Sequence, residues 1–218
     1  MIKALAFDMD GTLVDSERIH WEAWRVSCIN HGVKPYVYEE FVRFVGVSDE
    51  SMADEIIELN HLTVSVEDLV SEKQQTYLKL IPQIKLLPGV KTILQRFQER
   101  YRLAITSSSP RIELLRILEH HGLTGFFELV VGGDMVERKK PEPDIYVLAT
   151  RLLNLLPEEC VVFEDSQSGL QAAKTAGLVA VAIPHGLSEG HDFSRADLVV
   201  SQIDEVTDDL LKTLGYTR

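Results

Sequence analysis

A chain of 218 residues, 45% hydrophobic and 26% charged, is ordinary globular material, neither disordered nor fibrous, with room for one sizeable core or a core plus a small inserted domain. Its formal charge of −12 argues against nucleic acid or an anionic membrane as partner. A small anionic substrate stays open, because a local cation can reverse the field at one site. The chain begins with an apolar run from Ile2 to Phe7, broken only by Lys3, which reads as a buried strand of a parallel sheet. That strand delivers Asp8 and Asp10, one residue apart, and then Gly11, where a sharp turn is allowed. Two acids at the end of a buried strand repel each other unless a cation is supplied, and a hard divalent ion with oxygen ligands is the candidate. An ordinary Asp-Gly turn is the alternative at this point.

Asp15 or Ser16 can cap a helix in which Ile19, Trp21, Ala23, Trp24, Val26 and Ile29 keep helical spacing through to Gly32. Beyond Pro35, Tyr38 to Phe44, Glu50 to Leu59 and Val66 to Leu80 read as three more helices, with no strand-like run among them. From Leu86 to Val90 a linker returns the chain to a different pattern. A helix over Val90–Glu99 leads to a strand at Arg102–Thr106, and a helix over Pro110–His121 leads to Leu129–Val131. A helix over Pro143–Leu155 precedes Cys160–Phe163, and one over Ser168–Ala176 precedes Val179–Ile183. Leu198–Val200 and a last helix at Val206–Leu214 complete the series. Strands this apolar, alternating with helices, predict a doubly wound, Rossmann-like α/β core with a parallel sheet covered on both faces. The expected division is a core domain of residues 1–15 and 86–218 and an inserted all-helical cap domain of residues 16–85.

Ligands of such sheets sit at the carboxyl ends of the strands, so the residues found there carry the functional argument. The strand ending at Thr106 continues into Ser107-Ser108-Ser109-Pro110, where Ser109 suits a helix N-cap and Pro110 a first helical position. Small hydroxyl residues at a helix start suit a phosphate, although a capped helix alone would look the same. Lys140, stiffened by Pro141, can neutralise a phosphate as a point charge or belong to a solvated basic turn. The strand ending at Phe163 delivers Glu164 and Asp165, a second acid pair. Acids converging on one edge call for a cation, and Mg²⁺ with mixed protein and water ligands fits them.

The order DxDGT, Ser-Ser after a strand, Lys-Pro-x-Pro-Asp and Glu-Asp-Ser resembles the haloacid dehalogenase-like hydrolase superfamily, over essentially the whole chain. It is most similar to the branch with a helical cap after the first strand, which contains sugar-phosphate phosphatases and beta-phosphoglucomutase. The resemblance implies that Asp8 is the nucleophile forming an aspartyl-phosphate. It makes Asp10 the acid that protonates the leaving oxygen and then the base that activates water. Ser107, the backbone around Ser108, and Lys140 would hold the phosphoryl oxygens. Mg²⁺ would be held by Asp8, Glu164, Asp165 and the backbone carbonyl of Asp10. Carboxylate attack on phosphorus and charge stabilisation by metal and lysine agree with this assignment chemically. A dehalogenase needs no leaving-group proton, so Asp10 favours phosphate chemistry.

By the same resemblance Gly11, Thr12, Ser16, His20, Trp24, Gly46 and Lys73 are substrate-binding candidates, with Gly46 in a specificity loop of the cap. Ser16, His20 and Trp24 share one helix face, which a packed cap core would also explain. Asp49 stands where the mutase has an arginine for a second phosphate, and a carboxylate there would repel that phosphate. A phosphatase of a small phosphorylated metabolite is therefore expected. A phosphohexomutase is the alternative, and a receiver-like phosphate acceptor is a third reading that needs neither lid nor leaving-group acid. The linkers near residues 14–16 and 86–89 are expected hinges of a closing cap. His185 and His191 could suggest zinc, but nothing is placed to complete such a site. Cys28 and Cys160 read as buried free thiols in a reducing compartment. With strand-sized apolar runs and no export signal before Asp8, a cytoplasmic monomer with no membrane segment is expected.

Overall fold

The computed structural model describes residues 1–33, 36–44, 47–188 and 190–216. In chain order, β1 (Ala4–Phe7) and β2 (Val14–Asp15) precede the helices α1 (Glu17–Asn30), α2 (Tyr38–Val42), α3 (Asp49–Asn60) and α4 (Val66–Leu80). Then come β3 (Lys85–Leu86), α5 (Val90–Phe97), β4 (Arg102–Thr106), α6 (Arg111–His121), β5 (Leu129–Val131) and α7 (Asp144–Leu153). The chain closes with β6 (Cys160–Glu164), α8 (Gln167–Thr175), β7 (Val179–Ala182), β8 (Leu198–Val199) and α9 (Asp208–Tyr216). Two compact units result: Met1–Asp15 with Lys85–Arg218, and Ser16–Ile84.

The first unit is built on a six-stranded parallel sheet in the order β5-β4-β1-β6-β7-β8. β1 is central, with β4 on one flank and β6 on the other, so the winding direction reverses beside it. In open α/β sheets ligands bind at such a reversal, outside the carboxyl ends of the strands. Phe7 is in register with both Ile105 and Phe163, so the next residues, Asp8, Thr106 and Glu164, stand at one level at the carboxyl ends of these strands.

Strand alternation explains the two faces of the sheet. Ala4, Ala6, Ala104, Val162 and Ala180 share a cluster with Tyr146, Ala149 and Leu153 of α7 and Leu170 and Ala173 of α8. Small strand side chains let those helices approach closely. The alternate residues are large: Leu5, Phe7, Ile105 and Phe163 are all fully buried, and the rings of Phe7 and Phe163 stack with centroids 4.7 Å apart.

Two local expectations differ from the structure. Ser109 does not cap α6: Pro110 takes the cap position, and Asp134 Oδ1 accepts the hydrogen bond from Arg111 N at 2.8 Å. With that amide satisfied from a distant loop, Ser109 is left for another partner. The linkers at the ends of the helical insert are also not plain loops. β2 and β3 pair antiparallel, Val14 with Leu86 and Asp15 with Lys85. Strands of two residues are too short to leave a readable period.

The second unit is helical; no strand occurs among its described residues. Its core contains Trp24, Cys28, Phe41, Met52, Ile56 and Leu69. Ser48 and Ser65 cap α3 and α4 by accepting from Ser51 N and Asp68 N, each at 3.1 Å. Both cysteines are buried and unpaired, and burial pushes the thiols up, to about 12 for Cys28 and about 11 for Cys160. Among the described residues no helix is long and apolar enough to cross a membrane.

Candidate active site

The turn after β1 sets the site. Met9 O accepts from both Leu13 N and Val14 N, and Gly11 N donates to Val14 O, closing residues 9–14 on themselves. Gly11 has φ +76°, a conformation that side chains disfavour, and a Cβ there would overlap Asp165 and His185. The turn thus needs glycine for its backbone and for the space beside Asp165.

Lys140 enters from the segment before α7, behind a cis peptide bond to Pro141. Its side chain is 4% exposed, so it is no solvated turn residue. Nζ donates to Asp8 Oδ1 at 2.6 Å, Glu164 Oε1 at 2.6 Å and Thr106 O at 2.9 Å, which uses all three of its protons. Burial works against the ammonium charge, but Asp8 and Glu164 outweigh it and hold the Lys140 pKa well above its usual value. Burial pushes Asp8 well above the ordinary carboxylate range; Lys140 opposes that shift, and Glu164, Asp165 and Asp10 reinforce it.

The carboxylates of Asp8, Glu164 and Asp165 each present an oxygen to one cluster, with these atoms within 4.8 Å of one another. All three residues are buried. Lys140 compensates only one of the three charges. An all-oxygen, excessively negative donor set suits a hard divalent cation, and the residues therefore fit such an ion. Asp10 is placed differently. Its Oδ2 accepts from Ser109 Oγ at 2.8 Å and lies 3.5 Å from Ser107 Oγ, while Ser107 Oγ accepts from Ser109 N at 3.1 Å. The two acids of the turn therefore face different neighbours, one a cation, the other hydroxyls.

Of the remaining candidates in this unit, Thr12 is buried, and its Oγ1 has no hydrogen-bond partner among the described residues. The Ser108 carbonyl rests against Gly133, where any Cβ would overlap it. Gly46 lies outside the described residues.

Ser16, His20, Trp24 and Lys73 belong to the helical unit. Ser16 opens α1, its carbonyl accepting from Ile19 N and His20 N. The other three converge on Asp49. Lys73 Nζ lies 2.7 Å from Asp49 Oδ2 and 3.1 Å from His20 Nδ1, and Trp24 Nε1 donates to Asp49 Oδ1 at 3.3 Å. The His20 ring stacks on Tyr77 with centroids 4.1 Å apart. Burial would raise the Asp49 pKa, yet Lys73 and His20, with the hydrogen bonds from Lys73 and Trp24, lower it. Asp49, the carboxylate expected to repel a second phosphate, is paired with Lys73, itself 1% exposed.

Three site residues escaped the sequence reading. Ser109 has the sequence of a helix cap but bonds to Asp10. Tyr146, buried in α7, donates its hydroxyl to Glu164 Oε1 and lies under Lys140, whose Nζ is 5.3 Å from the ring centroid. Its place one turn into the helix after Lys-Pro-x-Pro-Asp was the available signal. His185 shares its loop with His191, but His185 Nε2 meets Asp165 Oδ2 at 2.9 Å whereas His191 Nδ1 faces Gln167 N at 3.4 Å.

A parallel sheet with acids, hydroxyls and a buried lysine gathered at its winding reversal defines an α/β enzyme whose chemistry lies at the carboxyl edge. The family model of haloacid dehalogenase-like hydrolases matches residues 5–183, and the chain belongs to that family. A phosphorylated carbohydrates phosphatase of Thermotoga maritima is 35% identical over 204 residues, covering 91% of this chain and 93% of that protein. Beta-phosphoglucomutase of Bacillus subtilis is 30% identical, covering 96% of this chain and 94% of its own length. A crystal structure of a CbbY variant from Rhodobacter sphaeroides, in complex with xylulose-(1,5)bisphosphate, superposes with a TM-score of 0.87. That pair is 28% identical, with coverage of 94% of this chain and 96% of the other.

Proposed function

We propose that this chain is a Mg²⁺-dependent phosphatase that hydrolyses a small phosphorylated metabolite, a sugar phosphate, through an aspartyl-phosphate. The observation that carries the reading is the division of labour within one turn. Asp8 sits against Lys140 and the acid cluster, while Asp10 sits against Ser107 and Ser109. An ionised Asp8 attacks phosphorus, and the bond from phosphorus to the ester oxygen breaks as Asp10 delivers its proton to that oxygen. Asp10, now a base, takes a proton from water, which attacks the aspartyl-phosphate and returns Asp8 with release of phosphate. Ser107, the backbone at Ser108, and Lys140 hold the phosphoryl oxygens. Asp8, Glu164, Asp165 and the Asp10 carbonyl would hold Mg²⁺, which supplies positive charge to the phosphoryl oxygens and offsets the repulsion among the acids. Gly11 and Thr12 of the first unit are the proposed substrate contacts beside this turn.

A phosphohexomutase is the second reading, favoured by the Bacillus subtilis relative. Holding a bisphosphate calls for a second cationic subsite, and the buried cap cation Lys73 is already paired with Asp49. That pairing supports hydrolysis over transfer to a second hydroxyl. The test is incubation with a panel of sugar phosphates and Mg²⁺, measuring both inorganic phosphate and isomerised sugar phosphate. Phosphate release is expected; isomerised product without it would replace the phosphatase by the mutase. Transfer of radiolabelled phosphate to the protein, abolished in Asp8→Asn, is expected for the covalent step.

A further inference from the structure

The geometry points to His185 as a positioning residue for Asp165, which makes the loop after β7 a working part of the metal site. The inference rests on the proposal that Asp165 is a metal ligand. Two bonds from one short turn grip this acid. His185 Nε2 meets its side chain at Oδ2, 2.9 Å away, and Ser188 Oγ donates to its main-chain carbonyl at 2.6 Å. The two grips are fixed relative to each other, because Ser188 N donates to His185 O at 2.7 Å. Ser188 is buried.

The rest of the surroundings explains why Asp165 needs this. Asp8 and Glu164 are oriented by Lys140, which bonds to both, and Glu164 is also bonded by Tyr146 and Ser166. Lys140 donates all its protons elsewhere, so it does not orient Asp165. His185 fills that role. A carboxylate is an acceptor only, so the ring nitrogen facing it carries the proton and donates. The ring occupies the space that a side chain on Gly11 would take, so the turn after β1 and the loop after β7 enclose Asp165 between them. Groups that orient a metal-binding side chain through hydrogen bonds typically contribute 10–100-fold to metal affinity.

Calorimetric titration of the metal-free, full-length protein with Mg²⁺ or Mn²⁺ alone tests this, using wild type, His185→Leu, His185→Gln, Ser188→Ala and Asp165→Asn. His185→Leu is expected to weaken metal binding by about 10–100-fold. His185→Gln, whose amide still donates, is expected to recover most of that loss. Ser188→Ala is expected to weaken binding by a smaller factor, and it tests the loop independently if His185→Leu does not fold. Equal losses for Leu and Gln would overturn the hydrogen-bond role, as would wild-type affinity in both His185→Leu and Ser188→Ala. Asp165→Asn should abolish tight binding; wild-type affinity there would sink the ligand assignment of Asp165 itself, a distinct failure.

Discussion

Lys140 Nζ and Asp8 Oδ1 are 2.6 Å apart although 132 positions separate them in the chain. The pair is buried, and Glu164 Oε1 lies at the same distance from the same nitrogen. Removing the ammonium leaves buried carboxylates uncompensated and, in the proposed mechanism, strips a positive charge from the phosphoryl oxygens. Lys140→Met should lower kcat by about 10²–10³. Lys140→Arg should not restore it, since a planar guanidinium cannot direct three converging bonds from one atom. Steady-state hydrolysis of p-nitrophenyl phosphate measures this; an arginine variant with more than about a tenth of wild-type activity would contradict the point-charge role.

Asp8 itself gives a pH-dependent prediction. Burial, resisted by Lys140 and aided by Glu164, Asp165 and Asp10, raises its pKa in the folded, metal-free protein. The native state then holds this proton more tightly than the unfolded chain does. Ionised Asp8 therefore destabilises the protein above the folded pKa, and the penalty fades as pH falls towards the ordinary carboxylate range. Metal-free Asp8→Asn should melt about 2–4 °C above wild type at pH 8, equivalent to ~1 kcal/mol, with a smaller margin at pH 5. Added Mg²⁺ should raise the wild-type Tm and leave Asp8→Asn nearly unchanged.

Asp10 and Ser109 share a hydrogen bond of 2.8 Å. If Asp10 protonates the departing oxygen, Asp10→Asn should slow alkyl phosphates far more than p-nitrophenyl phosphate, whose leaving group needs little help. Ser109→Ala should reproduce that selectivity on a smaller scale, about tenfold for alkyl esters. Equal losses across leaving groups, measured in single-turnover experiments, would remove Asp10 from the acid role.

In the helical unit, Asp49 and Lys73 form a pair whose lysine is buried. Asp49→Asn leaves that charge uncompensated and should destabilise by about 3 kcal/mol at pH 7. Adding Lys73→Met to the same chain should recover most of the loss. The Asp49 pKa is lowered by Lys73 and His20 against the effect of burial, so its contribution is present above the unfolded value, 3.8, and lost as pH falls through the folded one. Urea unfolding from pH 7 to pH 3 should show a constant gap between wild type and Asp49→Asn that closes only below about pH 4.

Much of the first unit was legible because its strands are apolar runs with turn signals at their ends. β4 and β5 begin and end where the pattern places them, and the acid pairs fall at the carboxyl ends of β1 and β6, with Glu164 still within β6. Ser109 was misread because a serine before proline satisfies every local rule for a cap. Only Asp134, 23 residues from the amide it accepts, shows that the position was already filled. His185 left no local mark either, and Tyr146 left only its place after Lys-Pro-x-Pro-Asp. A tyrosine on a helix face and a histidine in a glycine-containing loop acquire meaning only through Glu164 and Asp165.

By itself the sequence determined the residue types at each strand end, the alternation that makes a parallel sheet, and the helical periodicity of the insert. Those are local quantities, set by spacing and by the preferences of neighbouring residues. The tertiary structure alone decided which acid meets which partner. Register brings Asp8 and Glu164 to one level, the reversal of winding places Lys140 between them, and the loop after β7 closes on Asp165. Charge compensation depends on distance through space, and so Asp49, a carboxylate that looked repulsive in sequence, becomes half of a neutral pair with Lys73.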